Sequence, residues 1–158
     1  VLGDNIFEDD LSDAIRSFRS GGRIFAKEVP DPERFGVVEF DGEGKVLSLE
    51  EKPAQPKSRF AIPGAYIFDE NVSERARSLF PSARGELEIV DIHKRYFSEG
   101  TLDVRMITGA WFDTGTHEAL LAASVYAKEH GLPEKCHPII REAIREFSLE
   151  FKKSVSLK

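Results

Sequence analysis

The chain has 158 residues, of which 41% are hydrophobic and 32% charged, and its formal net charge is −6 at pH 7. This composition is typical of a globular domain with a sizeable core. The acidic balance argues against a nucleic-acid-binding protein, because contacts to a phosphate backbone need a basic surface. The single cysteine, Cys136, excludes an intrachain disulfide and favours a cytoplasmic setting, and no apolar run is long enough to cross a bilayer.

The first half of the chain is predicted to contain one helix followed by three strands. In chain order the predicted elements are a helix over 10–18, strands over 23–29 and 36–40, a glycine-containing hairpin turn at 41–44 and a returning strand over 45–50. Val1-Leu2 resembles the end of a further strand. Because a strand of two residues is too short to stand alone, we expect the chain to be the C-terminal part of a longer protein.

The second half is predicted to be richer in helix. Its predicted elements are a strand over 60–69 interrupted at Pro63-Gly64, a short helix over 71–79, a helix over 88–98, strands over 101–107 and 110–113, a helix over 116–130, a helix over 138–152 and a frayed tail to 158. This mixture predicts an α/β fold with a mixed β-sheet and flanking helices. We expect a single domain over 1–158, in which 132–158 forms a C-terminal helix and tail.

Two aspartates have sequence surroundings suited to a shared divalent cation. Asp4 follows the predicted strand end at Val1-Leu2, and Asp113 follows apolar Trp111-Phe112 before a predicted helix. In open α/β sheets, ligands bind beyond the carboxyl ends of strands. Mg²⁺ prefers carboxylate oxygens and completes its shell with waters and substrate phosphates. The pair therefore predicts a Mg²⁺ site, with a role as a helix or turn cap as the alternative for each aspartate alone.

Lys52 and Arg84 are the basic residues whose sequence surroundings best suit a phosphate. Lys52 precedes Pro53, which favours an extended backbone at the lysine, and the neighbouring Glu51 can accept hydrogen bonds from sugar hydroxyls. Arg84 precedes a predicted helix start, where anions are favoured, and Gly36 allows a ligand close to the backbone. Solvated charged loops are the alternative for the two basic residues, and a plain strand start is the alternative for Gly36. Together with the aspartates, the set indicates phosphoryl chemistry on a sugar nucleotide.

The remaining polar residues give no further site. None of the four histidines has metal-binding spacing, and His93 and His117 are expected on helix surfaces or at an interface. Trp111 is expected in the core. A nucleophile motif of the Gly-x-Ser-x-Gly type is absent from the sequence.

Five segments stand out by their order along the chain. They are Leu2-Gly3-Asp4-Asn5, Asp31-Pro32-Glu33-Arg34-Phe35-Gly36-Val37-Val38, Leu49-Glu50-Glu51-Lys52-Pro53, Arg84-Gly85-Glu86-Leu87-Glu88-Ile89 and Trp111-Phe112-Asp113-Thr114-Gly115-Thr116. In this order they resemble the motifs of glucose-1-phosphate thymidylyltransferases, which belong to the sugar-nucleotide pyrophosphorylases. The resemblance covers about residues 1–130.

The resemblance implies a partial Rossmann-like nucleotidyltransferase fold and a Mg²⁺-dependent reaction. In it, the phosphate of glucose 1-phosphate attacks the α-phosphorus of dTTP, giving dTDP-glucose and pyrophosphate. The residues that it implies are Asp4 and Asp113 on the metal, Lys52 and Arg84 on the sugar phosphate, Glu51 and the backbone of Gly36 on the sugar, and Gly64 in the pocket wall. The expected partners are these two small-molecule substrates and, in a full-length form, further copies of the same chain, with neither nucleic acid nor membrane.

Two departures from the family pattern keep alternatives open. The family's glycine-rich opening loop has no counterpart here, so we expect this chain to be inactive by itself. The segment Cys136-His137-Pro138 also departs from the family, in a region that bears on subunit contacts and regulation. One alternative is a non-catalytic module that binds a sugar phosphate or another subunit. The other is a uridylyltransferase that acts on another sugar 1-phosphate.

Overall fold

A computed structural model describes residues 1–130 of the chain. The strands are β1 (Asn5–Phe7), β2 (Gly22–Glu28), β3 (Gly36–Phe40), β4 (Val46–Glu51), β5 (Phe60–Ile62), β6 (Tyr66–Phe68), β7 (Leu102–Met106) and β8 (Trp111–Asp113). The helices are α1 (Ser12–Ser17), α2 (Val72–Arg77), α3 (Ile89–Ser98) and α4 (His117–His130), with a 3-10 turn at Pro32–Arg34. The predicted helices and hairpin within this range are therefore confirmed, with ends that differ by one or two residues.

The strands form two separate sheets. The larger sheet has six strands in the order β4-β3-β5-β2-β6, and β7 pairs with the free side of β2. The β2–β7 pair is parallel and the other pairs are antiparallel. The smaller sheet consists of β1 and β8 alone, paired antiparallel. The predicted mixed sheet with flanking helices is therefore confirmed.

Strand β2 lies at the centre of the larger sheet, and both of its faces are covered. Its residues from Gly22 to Ala26 are all buried, a pattern typical of a central strand. Ile24 and Ala26 pack with Val38, Ile62 and other apolar side chains into the main hydrophobic cluster. This cluster lies between the sheet and α3.

The interruption predicted at Pro63-Gly64 divides one apolar stretch into β5 and β6. The two halves pair with different parts of β2, β5 with Lys27–Glu28 and β6 with Gly22–Ile24. A Cβ on Gly64 would lie 2.8 Å from the side chains of Asn5 and Leu2. Glycine is required here because the N-terminal segment crosses directly over its backbone.

The predicted strand at Val1-Leu2 is wrong. Both residues are exposed and lie outside any strand, and the first strand begins only at Asn5. Leu2 donates one backbone hydrogen bond to the carbonyl of Gly64 (2.7 Å). A short apolar pair resembles the end of a buried strand, whereas the strand pairing belongs to Asn5–Phe7, which pair with β8.

His93 is also placed differently from the prediction. Its side chain is fully buried in α3, packed against the rings of Tyr66 (4.8 Å between centroids) and Phe68 (5.8 Å). The polar histidine side chain is predicted at a helix surface or an interface, but the helix face that carries Val90 and Tyr96 also carries His93. Only the docking of α3 on the sheet determines this burial.

Val1–Leu120 forms one compact unit, and the described residues 121–130 belong to a second one. Within the described residues, every strand and every predicted site residue belongs to the first unit. The predicted helix at 138–152 and the tail lie outside the described residues, so the single-domain organisation stays a prediction. Among the described residues, no helix is both long enough and apolar enough to span a bilayer.

Candidate active site

Pairing of β1 with β8 brings the two predicted metal ligands together. Asn5 is opposite Asp113 in the register, and Thr114 donates two hydrogen bonds to the carbonyl of Asp4, from its amide (2.7 Å) and from its hydroxyl (2.8 Å). A Cβ placed on Gly115 would lie 3.5 Å from Asp113 Oδ1 and 3.8 Å from Asp4 Oδ2. The two carboxylates therefore border the same space.

Neither aspartate acts as the cap that was considered as an alternative. Helix α4 is capped by Thr116, whose hydroxyl accepts a hydrogen bond from the amide of Ala119 (3.2 Å). Asp4 precedes a strand instead of a helix, and its Oδ1 accepts a hydrogen bond from the side chain of Asn5 (2.9 Å). The position of both carboxylates is therefore set by the two-stranded sheet and not by helix capping.

The Asn5 side chain, which was not among the predicted site residues, connects three parts of the site. Its Oδ1 accepts hydrogen bonds from the amide of Gly64 and from the indole of Trp111, both at 2.8 Å, while its Nδ2 donates to Asp4. One amide thus links a carboxylate to the walls on both sides. The signal available in the sequence was the asparagine directly after the aspartate in the first motif.

An open cleft adjoins these residues and contains most of the predicted site. Six of the seven predicted residues line it: Asp4, Gly36, Glu51, Lys52, Gly64 and Asp113. Five polar or aromatic residues that were not predicted as site residues line it too: Asn5, Arg34, Phe35, Tyr66 and Trp111. Trp111 was expected in the core, but it is half-buried and forms part of the cleft wall.

Lys52 lines the cleft and has an unusual backbone conformation. Its φ is +40°, and it is the one non-glycine residue of the described chain with a positive φ. The extended conformation expected from Pro53 is therefore wrong. The amide of Lys52 donates to the carbonyl of Phe35 (3.0 Å), so the end of β4 is tied to the start of β3. Strained backbone of this kind persists only where the surroundings impose it.

Glu51 lies against the backbone at Gly36. A Cβ on Gly36 would be 3.3 Å from Glu51 Oε2 and 2.8 Å from Val90, so only glycine leaves room for the carboxylate. Burial raises the pKa of Glu51 above its usual value, and the charge of Glu88 adds to this rise. The close approach leaves the Glu51 carboxylate at the cleft wall beside the buried backbone of Gly36.

Arg84 is the predicted site residue that does not line the cleft. It lies in a neighbouring depression that shares Glu51 with the cleft. Its guanidinium is surrounded by carboxylates, with Glu86 at 2.9 Å and Glu51 and Glu88 both at 3.7 Å. Contact of Arg84 with a ligand in the cleft would require it to leave these partners.

Tyr66 lines the cleft, and the fully buried His93 packs against its ring. Burial raises the pKa of Tyr66 to about 12, with smaller contributions from the charges of Glu51 and Asp4. Burial lowers the pKa of His93 to about 3. Both groups are therefore neutral at physiological pH, and neither brings a charge close to the carboxylates.

The donor set fits a hard divalent cation that is shared with a ligand. No group of three or more histidine, cysteine, aspartate or glutamate side chains within 1–130 could enclose a metal ion. Two adjacent carboxylates with an open side instead suit Mg²⁺, which is commonly held by one or two carboxylates plus waters and substrate phosphates. Asp4 and Asp113 are the residues that would hold such an ion.

A match to a protein-family model classifies this chain. The family model described as nucleotidyl transferase matches residues 1–130. This chain belongs to the nucleotidyl transferase family. The match covers every strand and all the predicted site residues, so the family resemblance drawn from the five motifs is confirmed.

Two relatives of this nucleotidyl transferase are named glucose-1-phosphate thymidylyltransferase. The protein from Mycolicibacterium smegmatis is 49% identical over 133 residues, which are 81% of this chain and 46% of the relative. The protein from Neisseria meningitidis is 44% identical over 134 residues, with the same two shares. The chain therefore spans about half the length of the relatives that it matches.

Solved structures agree with the fold. A Bacillus anthracis protein described as a glucose-1-phosphate thymidylyltransferase, in complex with sucrose, superposes with a TM-score of 0.76 and 40% identity over 85% of this chain and 55% of that one. A UDP-glucose pyrophosphorylase complexed with UDP-glucose gives a TM-score of 0.67 at 22% identity, over 82% of this chain and 55% of that one. The second likeness concerns the fold alone. The predicted nucleotidyltransferase fold of this family member is thus confirmed.

Proposed function

We propose that this chain forms the sugar-phosphate-binding and metal-binding part of a glucose-1-phosphate thymidylyltransferase. The observation that carries the proposal is the pair Asp4 and Asp113, which border one space in a cleft that Lys52 also lines. The two carboxylates can hold Mg²⁺, and the ammonium group of Lys52 can neutralise further charge on a magnesium-bound phosphate ester. The names of the relatives at 44–49% identity support thymidylyl transfer.

In the proposed reaction, a phosphate oxygen of glucose 1-phosphate attacks the α-phosphorus of dTTP. A new oxygen–phosphorus bond forms, the bond to the bridging oxygen between the α- and β-phosphorus breaks, and pyrophosphate leaves. Mg²⁺ held by Asp4 and Asp113 would neutralise charge on the phosphate oxygens. Catalysis of this kind depends mainly on alignment and charge stabilisation, so no protein base is needed.

The remaining cleft residues would orient the sugar phosphate. Lys52 would bind the phosphate as a point charge. Glu51 would accept hydrogen bonds from sugar hydroxyls beside the backbone of Gly36, and Gly64 would close the wall without a side chain. Arg84 would join the phosphate only after exchanging its carboxylate partners. A cytoplasmic location and homo-oligomeric assembly belong to the same proposal.

Binding measurements on the chain itself test the proposal. We expect glucose 1-phosphate to bind in a Mg²⁺-dependent manner in isothermal titration, and we expect Asp4→Asn and Asp113→Asn to abolish the Mg²⁺ dependence while far-UV circular dichroism stays unchanged. Asp13→Asn is the matched control, because its side chain is 98% exposed on α1. Equal affinity with and without Mg²⁺ in the unmodified chain would remove the metal assignment.

A further inference from the structure

Arg34 is a cleft residue for which the proposed function has no role. It lies at the end of the 3-10 turn Pro32–Arg34 and lines the cleft together with Asp4, Lys52 and Asp113. Lys52 and Arg34 are the two basic residues among the described lining residues. The cleft therefore offers cations on two elements, the end of β4 and the turn before β3.

The present partner of Arg34 is easily exchanged. Its guanidinium is 2.7 Å from Asp31 Oδ2, and the two side chains are 51% and 38% exposed. The hydrogen bond with Asp31 raises the pKa of Arg34, and the charge of Asp113 contributes to the same rise. Ion pairs with this exposure contribute little to stability. The negative charge of Asp113 thus acts on Arg34, while the ion pair that holds Arg34 to Asp31 is a weak surface contact.

Aromatic contacts hold the guanidinium beside the cleft wall. Arg34 lies over the ring of Phe35 at 5.2 Å, and Phe35 meets Trp111 edge to face at 5.0 Å. The indole of Trp111 is in turn fixed by its hydrogen bond to Asn5. Stacking of a guanidinium on an aromatic ring leaves its planar N–H fork free to bind an oxyanion.

We propose that Arg34 binds a phosphate oxyanion of the ligand that shares the site of Asp4 and Asp113, in exchange for its contact with Asp31. This inference rests on the proposed function. The oxyanion belongs either to the sugar phosphate or to the pyrophosphate end of the nucleotide. Arg34 thereby complements Lys52 as a second cation for the ligand in this cleft.

Trp111 makes the exchange measurable, because it is the single tryptophan of the chain and lies next to Phe35. Its fluorescence is followed during titration with glucose 1-phosphate or with inorganic pyrophosphate, each in the presence of Mg²⁺, and isothermal titration gives an independent value. We expect Arg34→Gln to raise the Kd of one of these ligands about tenfold, the loss of one charge-assisted hydrogen bond. We expect Asp31→Asn to lower the same Kd, because it releases the guanidinium.

The control is Arg59→Gln, since Arg59 is similarly exposed, also pairs with a carboxylate (Glu28, 3.6 Å) and lies outside the cleft. It should leave both Kd values unchanged. A change confined to glucose 1-phosphate assigns Arg34 to the sugar phosphate, and a change confined to pyrophosphate assigns it to the nucleotide side. Both results support the inference.

Three results would overturn it. Equal Kd values for Arg34→Gln and Arg59→Gln would remove Arg34 from the site, and if Lys52→Ala still weakened binding, the proposed function would stand. A loss in Asp31→Asn as large as in Arg34→Gln would mean that the pair only supports the turn. No binding of either ligand by the unmodified chain would overturn the proposed function and this inference together.

Discussion

Different interactions hold the strands in place in the two sheets of this molecule. In the six-stranded sheet, Ile24, Ala26 and Val38 have no exposed surface and pack against other apolar side chains. In the two-stranded sheet, polar contacts join the strands, with Trp111 donating to Asn5 and Thr114 donating to Asp4, while Phe7 of β1 packs against a second apolar cluster. Apolar packing is strong but non-directional, whereas hydrogen bonds fix orientation. The larger sheet therefore supplies stability, and the smaller one fixes the direction of the carboxylates.

The largest effect is expected in the six-stranded sheet. Ile24→Ala would remove part of a fully buried side chain in β2 and should lower the free energy of unfolding by about 2–5 kcal/mol, through lost burial and a cavity. Urea denaturation measures it. Ile15→Ala is the control because Ile15 is 61% exposed on α1. Similar losses at both positions would mean that β2 is not the centre of the core.

A smaller loss is expected where polar contacts hold the smaller sheet. Asp9 Oδ2 accepts hydrogen bonds from the amides of Thr108 (3.1 Å) and Gly109 (2.8 Å), just before β8. Asp9→Ala leaves these amides without their acceptor, so we expect a loss of about 1–3 kcal/mol. It should also shift the emission of Trp111, which Ile24→Ala should change much less under native conditions.

Asp13→Ala serves as the control for Asp9→Ala, because the Asp13 side chain is almost fully exposed. It should change neither the free energy of unfolding nor the emission of Trp111. Unchanged stability in Asp9→Ala would show that the two-stranded sheet does not depend on this carboxylate, and the contrast between the two sheets would then be lost.

The backbone of Lys52 allows a comparison between two substitutions at one position. Because its φ is +40°, alanine there is strained, and glycine is not. We expect Lys52→Gly to be more stable than Lys52→Ala by about 0.5–1 kcal/mol, the relief of strain less the entropy cost of glycine. At Lys57, which has no positive φ, the alanine variant should be the more stable one. The same order at both lysines would contradict strain at the cleft.

The smallest effect concerns pH. The pKa of Glu51 is raised in the folded state above its usual 4.5, so folding favours its protonated form. This contribution is fully present below pH 4.5 and is lost as the pH rises through the folded-state pKa. As the pH rises from about 4 to about 8, the free energy of unfolding of Glu51→Gln should therefore fall less than that of the unmodified chain. Glu33→Gln, at an exposed position, should follow the unmodified chain in the same urea titrations.

Local patterns in the sequence determined most of the elements. The apolar spacing of α3, the threonine at the start of α4 and the glycines between β3 and β4 act over a few residues, so the sequence was sufficient to locate them. The family resemblance also identified six of the residues that line the cleft. The break at Pro63-Gly64 was predicted for the same reason, since proline and glycine restrict strand pairing wherever they occur.

Only the tertiary structure decided how these elements meet. The approach of Asp4 to Asp113 depends on the β1–β8 register, the positive φ of Lys52 on its bond to Phe35, and the burial of His93 on the docking of α3. Arg84 lies in the neighbouring depression, paired with Glu51, Glu86 and Glu88. Each of these outcomes is set by competition among residues that are distant in the chain or charged alike, and local propensity carries no information about which partner wins.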